Sequence, residues 1–398
     1  MNHAGRLFTR RQMLQSLAVG SAVLPSAAQN LLASNPAPLE NGHALSKNVP
    51  TPKARSVILL YMSGGVSQLD SFDPKPILSA HAGERVDHRH PNARRWLGSS
   101  AKFRPAGQCG TEVSDLFPHL RDCMEDICLI RSMQNDQIEH FEATLQLHTG
   151  SPTGVQPSLG SLVSHAAPNA KQNLPPFVVF APQLSYAGNQ IWSAGQLAKN
   201  HGGIRVARPS DKSKLNDPDF ATALNYNNES AATRALYGVQ RPDDFASQCL
   251  AARRLVERGV RFVELIDSGS HDNWDAHFDA RVTARRAHAV DQPIAALLKD
   301  LQARGLLDET LVVWTTEFGR TPFADGPNGR GHQGSTYSSW LAGGGVRGGT
   351  VYGRTDDFGA RVVENPVNVH DLRATILHCL GVDARQETCG KVIRDILV

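Results

Sequence analysis

The sequence predicts an α/β protein: a three-layer αβα sandwich around a mostly parallel central sheet. Two observations carry that expectation. Short runs rich in Val, Ile and Leu recur at 57–62, 127–130, 177–180, 260–266 and 311–314, each bounded by polar or Gly/Pro segments, as strands buried on both faces of a sheet require. Between them lie stretches with apolar residues at helical spacing, and strands that alternate with helices place helical layers on both sheet faces.

Taken in order, the chain opens on an export signature. Arg10 and Arg11 precede a short apolar stretch at 17–24 and the small residues Ser26, Ala27 and Ala28. Residues 1–28 carry no acid, and paired arginines, a modest apolar segment and a small-residue cut site make a twin-arginine signal peptide. The partner this implies is the twin-arginine export machinery, and the location is the periplasm or cell surface. Residues 29–53, with Pro36, Pro38, Pro50 and Pro52, read as a flexible linker. The folded domain is expected over 54–398.

Within it, helical spacing appears at 245–258 (Cys249, Leu250, Leu255, Val256) and at 290–304 (Ile294, Leu297, Leu298, Leu301), with Gly305 as the C-cap. Asn368 opens a helix over 369–379, with Asp371 three residues on as a capping box. The polar, Asn-rich segment near 183–240 reads as an insertion over one edge of the sheet. Gly343, Gly344 and Gly345 lack a following GK[ST] and read as a close backbone turn rather than a phosphate loop.

Composition narrows the function classes. The 398 residues include 41 Lys and Arg against 38 Asp and Glu, but Arg6, Arg10 and Arg11 belong to the signal. Without those three, 38 basic residues face 38 acidic ones, which leaves no electrostatic footprint for nucleic acid. One local basic run spans Arg85 to Arg95, either a solvated loop or an anion-attracting rim. No apolar stretch reaches the length of a transmembrane segment. The six cysteines contain no CxxC pair, so a ribbon-type zinc site is not expected; pairing of Cys379 with Cys389, or of Cys109 with Cys123 or Cys128, stands beside buried free thiols.

Ligands of open α/β sheets gather at the carboxyl ends of strands. Those ends deliver Ser63 to Asp70 and Asp73 after the first run, then Glu139 and His140 after the second. Asp267, His271, Asp272, Asp275 and His277 follow the run at 260–266, and Glu317, Arg320 and His332 follow the run at 311–314. Carboxylates and imidazoles converging at one edge suit a divalent metal of the Zn, Mn or Fe kind.

The segments "VILLYMSGGVSQLDSFDPKP", "GTEVSDLFPHLRDCMEDICLIRSM", "WDAHFD", "TTEFGRTPF", "GRGHQ" and "VHDLRATILHCLGVD" resemble the domain-of-unknown-function 1501 family, sulfatase-like members of the alkaline phosphatase superfamily, over nearly the whole chain. That resemblance implies an alkaline phosphatase-like fold and an exported hydrolase of a sulfate or phosphate ester, with one or two divalent metals (Zn, Mn, Fe or Ca). The implied substrate is an anionic ester such as a sulfated or phosphorylated glycan. By the same resemblance, Glu317 and His332 look like the late acid and histidine ligands, and Asp275 and His277 like the preceding pair. Departures stand beside these matches. Ser63 replaces a usual aspartate, a role Asp70 or Asp73 takes over. Phe318 replaces a usual histidine. Gln68 replaces the histidine of "GGxSHxD" and is expected to orient the site or touch substrate. The superfamily's nucleophile position, counted back from Gly150, falls on His140, which becomes the candidate acid, base or nucleophile. Arg320 reads as an anion clamp or the partner of a core acid. The alternative from another class is a non-catalytic protein that kept the fold and binds sulfated or phosphorylated glycans.

Overall fold

The computed structural model describes residues 51–86, 95–154, 156–166, 174–208, 210, 218–383 and 389–398. The twin-arginine signal, nearly all of the linker and the centre of the basic run lie outside the described residues. No helix among the described residues is long and apolar enough to cross a membrane.

A nine-stranded sheet organises the fold. Its strands are β1 (Ser56–Tyr61), β2 (Ile127–Gln134), β3 (Phe177–Phe180), β4 (Ile204–Val206), β5 (Phe262–Ile266), β6 (Thr310–Thr315), β9 (Tyr337–Ala342), β10 (Thr350–Tyr352) and β11 (Val367–Asn368), with the hairpin strands β7 (Gly319–Asp325) and β8 (Gly329–Gln333) outside it. The order across the sheet is β10-β2-β9-β6-β1-β5-β3-β4, and β11 also pairs with β2. All sheet pairings are parallel except those of β9 with β2 and β6. The expected α/β sandwich is the observed one.

Alternation within the central strands sends side chains to two cores. Ile58, Leu60, Val263, Leu265, Val312 and Trp314 face one layer, which includes α3 (Phe245–Glu257) and α4 (Arg281–Ala303). Val57, Leu59, Tyr61, Ile266, Leu311 and Val313 face the other, with α1 (His140–Thr149), α2 (Leu159–Ala166) and α5 (Val369–Cys379). The capping box of α5 is present, Asn368 accepting from the helix and Asp371 accepting the Asn368 N–H. Helix α4 starts nine residues before the apolar stripe does, because its first turns are polar and half-exposed. The polar segment near 183–240 adds the edge strand β4 and two short helices, Pro218–Leu224 and Ala231–Tyr237, whose Phe220, Leu224 and Tyr237 are buried. All six cysteines are free, and Cys123, Cys128, Cys249 and Cys379 are buried as small apolar side chains.

Strands β5, β1 and β6 lie side by side, so their carboxyl ends open onto one place. Immediately after β1 the chain turns through Gly64 (φ 114°) and Gly65 (φ 75°), conformations a side chain would resist.

Candidate metal centre

Glu317 follows β6 and is wholly buried. Its carboxylate accepts the Gly64 N–H at 2.9 Å and the Tyr61 hydroxyl at 3.0 Å, and Oε1 meets His140 Nδ1 at 2.7 Å. Burial would raise its pKa, yet the hydrogen bond and charge of His140 hold it below the usual carboxylate range. His140 is the first residue of α1. Its ring lies flat under Tyr186, centroids 4.0 Å apart at 5°, with Phe318 at 4.8 Å. Burial opposes its positive charge, but the neighbouring carboxylates of Asp275 and Glu317 outweigh that and raise its pKa. The Tyr186 phenol is pushed up to about 12 by burial.

Asp275 is the hub. One oxygen lies 3.4 Å from His140 Nε2; the other lies 2.7 Å from Arg320 Nη2, 3.2 Å from His277 Nε2 and 3.7 Å from His332 Nε2. Against a burial penalty, His140, His332 and Arg320 drive its pKa far below the ordinary carboxylate value. Arg320 is fully buried and donates to Gly64 O, Gly65 O and Arg330 O as well, at 2.5, 2.8 and 3.0 Å.

The three imidazoles share one arrangement. His140 Nδ1 faces Glu317, His277 Nδ1 lies 2.9 Å from Asp325, and His332 Nδ1 lies 2.7 Å from the Ile138 carbonyl. Each acceptor calls for the proton on Nδ1, so that each ring in its neutral form has a bare Nε2. Those Nε2 atoms converge: His277 and His332 stand 2.8 Å apart, and ligand atoms of His140, Asp275 and His332 all lie within 4.8 Å of one another. The His140 Nε2 atom is buried and has no hydrogen-bond partner. Lone pairs facing each other around a carboxylate call for a cation between them, and the oxygen partners on Nδ1 are the outer contacts that orient metal-binding histidines. The donor set fits a divalent metal.

His140, Asp275, His277, Glu317, His332 and Arg320 are therefore brought together, with Glu317 behind His140 rather than in the ring of converging atoms. Gln68 and Asp70, on the turn Gln68–Ser71, are not. Gln68 clamps β7, donating to Arg320 O at 3.0 Å and accepting the Arg320 N–H at 2.9 Å. Asp70 pairs with buried Arg330 at 2.8 Å; burial would raise its pKa, but the charge and hydrogen bonds of that guanidinium outweigh burial and leave it below the ordinary value. The pair floors a cavity of about 410 Å³ that Phe278 and Asn328 also line. Asp73 is occupied by Thr355 and Lys75. Tyr186, Asn273 and Asp325 escape the sequence reading; Asp325 carries no signal beyond its place on the β7–β8 hairpin.

No curated protein matches the chain. Among solved structures, it is similar to the lipoteichoic acid synthase LtaP from Listeria monocytogenes (10% identity, TM-score 0.45, 85% of this chain and 75% of that one). It is also similar to the phosphonate monoester hydrolase SpPMH from Silicibacter pomeroyi (13%, 0.42, 86% and 76%) and to the PsFucS1 sulfatase from Pseudoalteromonas sp. (13%, 0.42, 88% and 72%). A family model matches residues 54–220 and 213–396, and the chain belongs to that family, described as protein of unknown function (DUF1501).

Proposed function

We propose that the chain is an exported, metal-dependent hydrolase of a sulfate or phosphate ester. The observation that carries this is the convergence of three bare Nε2 atoms on Asp275 beside a fixed guanidinium. His140, Asp275, His277 and His332 would hold one divalent metal; three imidazoles and a carboxylate suit Zn, Mn or Fe, whereas Ca prefers an all-oxygen set. When bound, the metal would polarise a phosphoryl or sulfuryl oxygen and offset the charge on it.

The protein's own groups have separate tasks in this reading. Glu317, Asp325 and the Ile138 carbonyl hold the tautomers and ring orientations. Arg320 holds Asp275 and supplies a permanent positive charge, which with a metal leaves the centre attractive to an anion. Phe318 and Tyr186 wall the His140 ring from water. His140, tied at Nδ1 and turned inward at Nε2, serves as a ligand rather than a nucleophile. The hydroxyls that bond Glu317, those of Tyr61 and Thr316, are fully buried and spent on that carboxylate, so in this reading the attacking group is water.

The test is turnover of aryl phosphate and aryl sulfate esters by metal-loaded protein. Activity lost on chelation, restored by metal and abolished in Asp275→Asn supports the hydrolase. The absence of an open Ser, Thr or Cys hydroxyl or thiol from the converging set, among the described residues, favours one second reading, a binding protein for sulfated or phosphorylated glycans. Saturable phosphate or sulfate binding with no turnover would select it.

A further inference from the structure

Tyr186 lies on the chain between β3 and β4, outside every motif that marks the centre. Its hydroxyl has one partner among the described residues, Asn273 Nδ2 at 2.7 Å. The direction of that bond is fixed by the rest of the amide. The Asp275 N–H donates to Asn273 Oδ1 at 3.0 Å, so the amide oxygen faces Asp275 and its NH₂ group faces Tyr186. The same NH₂ group sends its other hydrogen to the Gly269 carbonyl at 3.0 Å. Both amide hydrogens are thus committed, and Asn273 is buried at 5% exposure. The phenol oxygen must accept, and its own proton meets no acceptor among the described residues.

This undischarged O–H belongs to a half-buried residue whose ring is stacked on His140. Two contacts place it: the His140 stack on one side, and on the other the Asn273 amide, whose oxygen is bonded to the backbone of Asp275. We propose that the Tyr186 hydroxyl is a fixed hydrogen-bond donor to an oxygen of the phosphate or sulfate group that binds at the centre. The proposal rests on the metal-dependent reading above. It adds a ligand-binding residue that neither motif nor metal geometry supplies.

The experiment compares metal-loaded wild type with Tyr186→Phe, which keeps the stacked ring and loses only the hydroxyl. Each is assayed for metal per chain, for its circular dichroism spectrum and for binding of inorganic phosphate and inorganic sulfate by calorimetry. The expected result is unchanged metal and fold with anion affinity weakened roughly tenfold, the size of one hydrogen bond to a charged group. A Tyr186→Phe protein that keeps its metal and binds both anions as wild type does would overturn the proposal, as would metal-loaded wild type that binds neither. Failure of the underlying reading shows separately, as wild type that takes up no metal.

Discussion

His140 Nδ1 stands 2.7 Å from Glu317 Oε1, and this contact assigns the two residues different tasks. A carboxylate that is wholly buried and already accepts from Gly64 and Tyr61 has little left for a metal. What it does is hold one imidazole with its free nitrogen turned toward Asp275. Glu317→Gln should therefore leave the fold intact and weaken metal binding about 10- to 100-fold, the usual cost of losing an outer partner of a metal-binding histidine. Competition titration against a chelating dye reads this, and an unchanged affinity would contradict it.

Arg320 makes four hydrogen bonds through one planar fork, three to backbone carbonyls and one to Asp275. A lysine carries the charge but cannot span that set. Arg320→Lys should lower unfolding free energy by about 2–4 kcal/mol, since buried acceptors lose their donors. Urea denaturation followed by circular dichroism tests it; a shift under about 0.5 kcal/mol, ordinary for a surface substitution, would contradict it.

Asp267, at the end of β5, accepts from Trp274 Nε1, Ser268 Oγ and the Ser63 N–H, yet burial still pushes its pKa up to about 6. The folded chain then holds this proton at pH values where the unfolded chain has released it. Its contribution is fully present below about pH 4, falls as pH rises, and is gone above about pH 6. Urea midpoints of wild type should therefore decline relative to those of Asp267→Asn between pH 4 and 6 and run parallel to them above. Parallel curves throughout would contradict the assignment.

Much of the fold was legible because its physics is local. Runs such as 57–62 and 311–314 are apolar because both faces of those strands are covered, and Asn368 with Asp371 marks a helix start within four residues. Strand β9 was not legible, since its Ser338 and Ser339 imitate a loop; both are buried, and the Ser339 hydroxyl is satisfied by Thr315 across the sheet. At the site, Asp275, His277, Glu317 and His332 could be singled out because they lie on the segments that follow β5 and β6, whose carboxyl ends share one edge. Asp70 and Gln68 follow β1 just as closely, but the turn through Gly64 and Gly65 carries them past the edge and against the β7–β8 hairpin. Tyr186 reaches His140 from a polar segment whose path depends on tertiary packing, which no spacing in the sequence encodes.

Metal content per chain tests the central claim most directly. Folded protein offered Zn, Mn, Fe and Ca should retain one equivalent of Zn, Mn or Fe by elemental mass spectrometry, and His332→Ala should lose it. Wild type that stays folded and binds none of the four would contradict a metal centre built on His140, Asp275, His277 and His332.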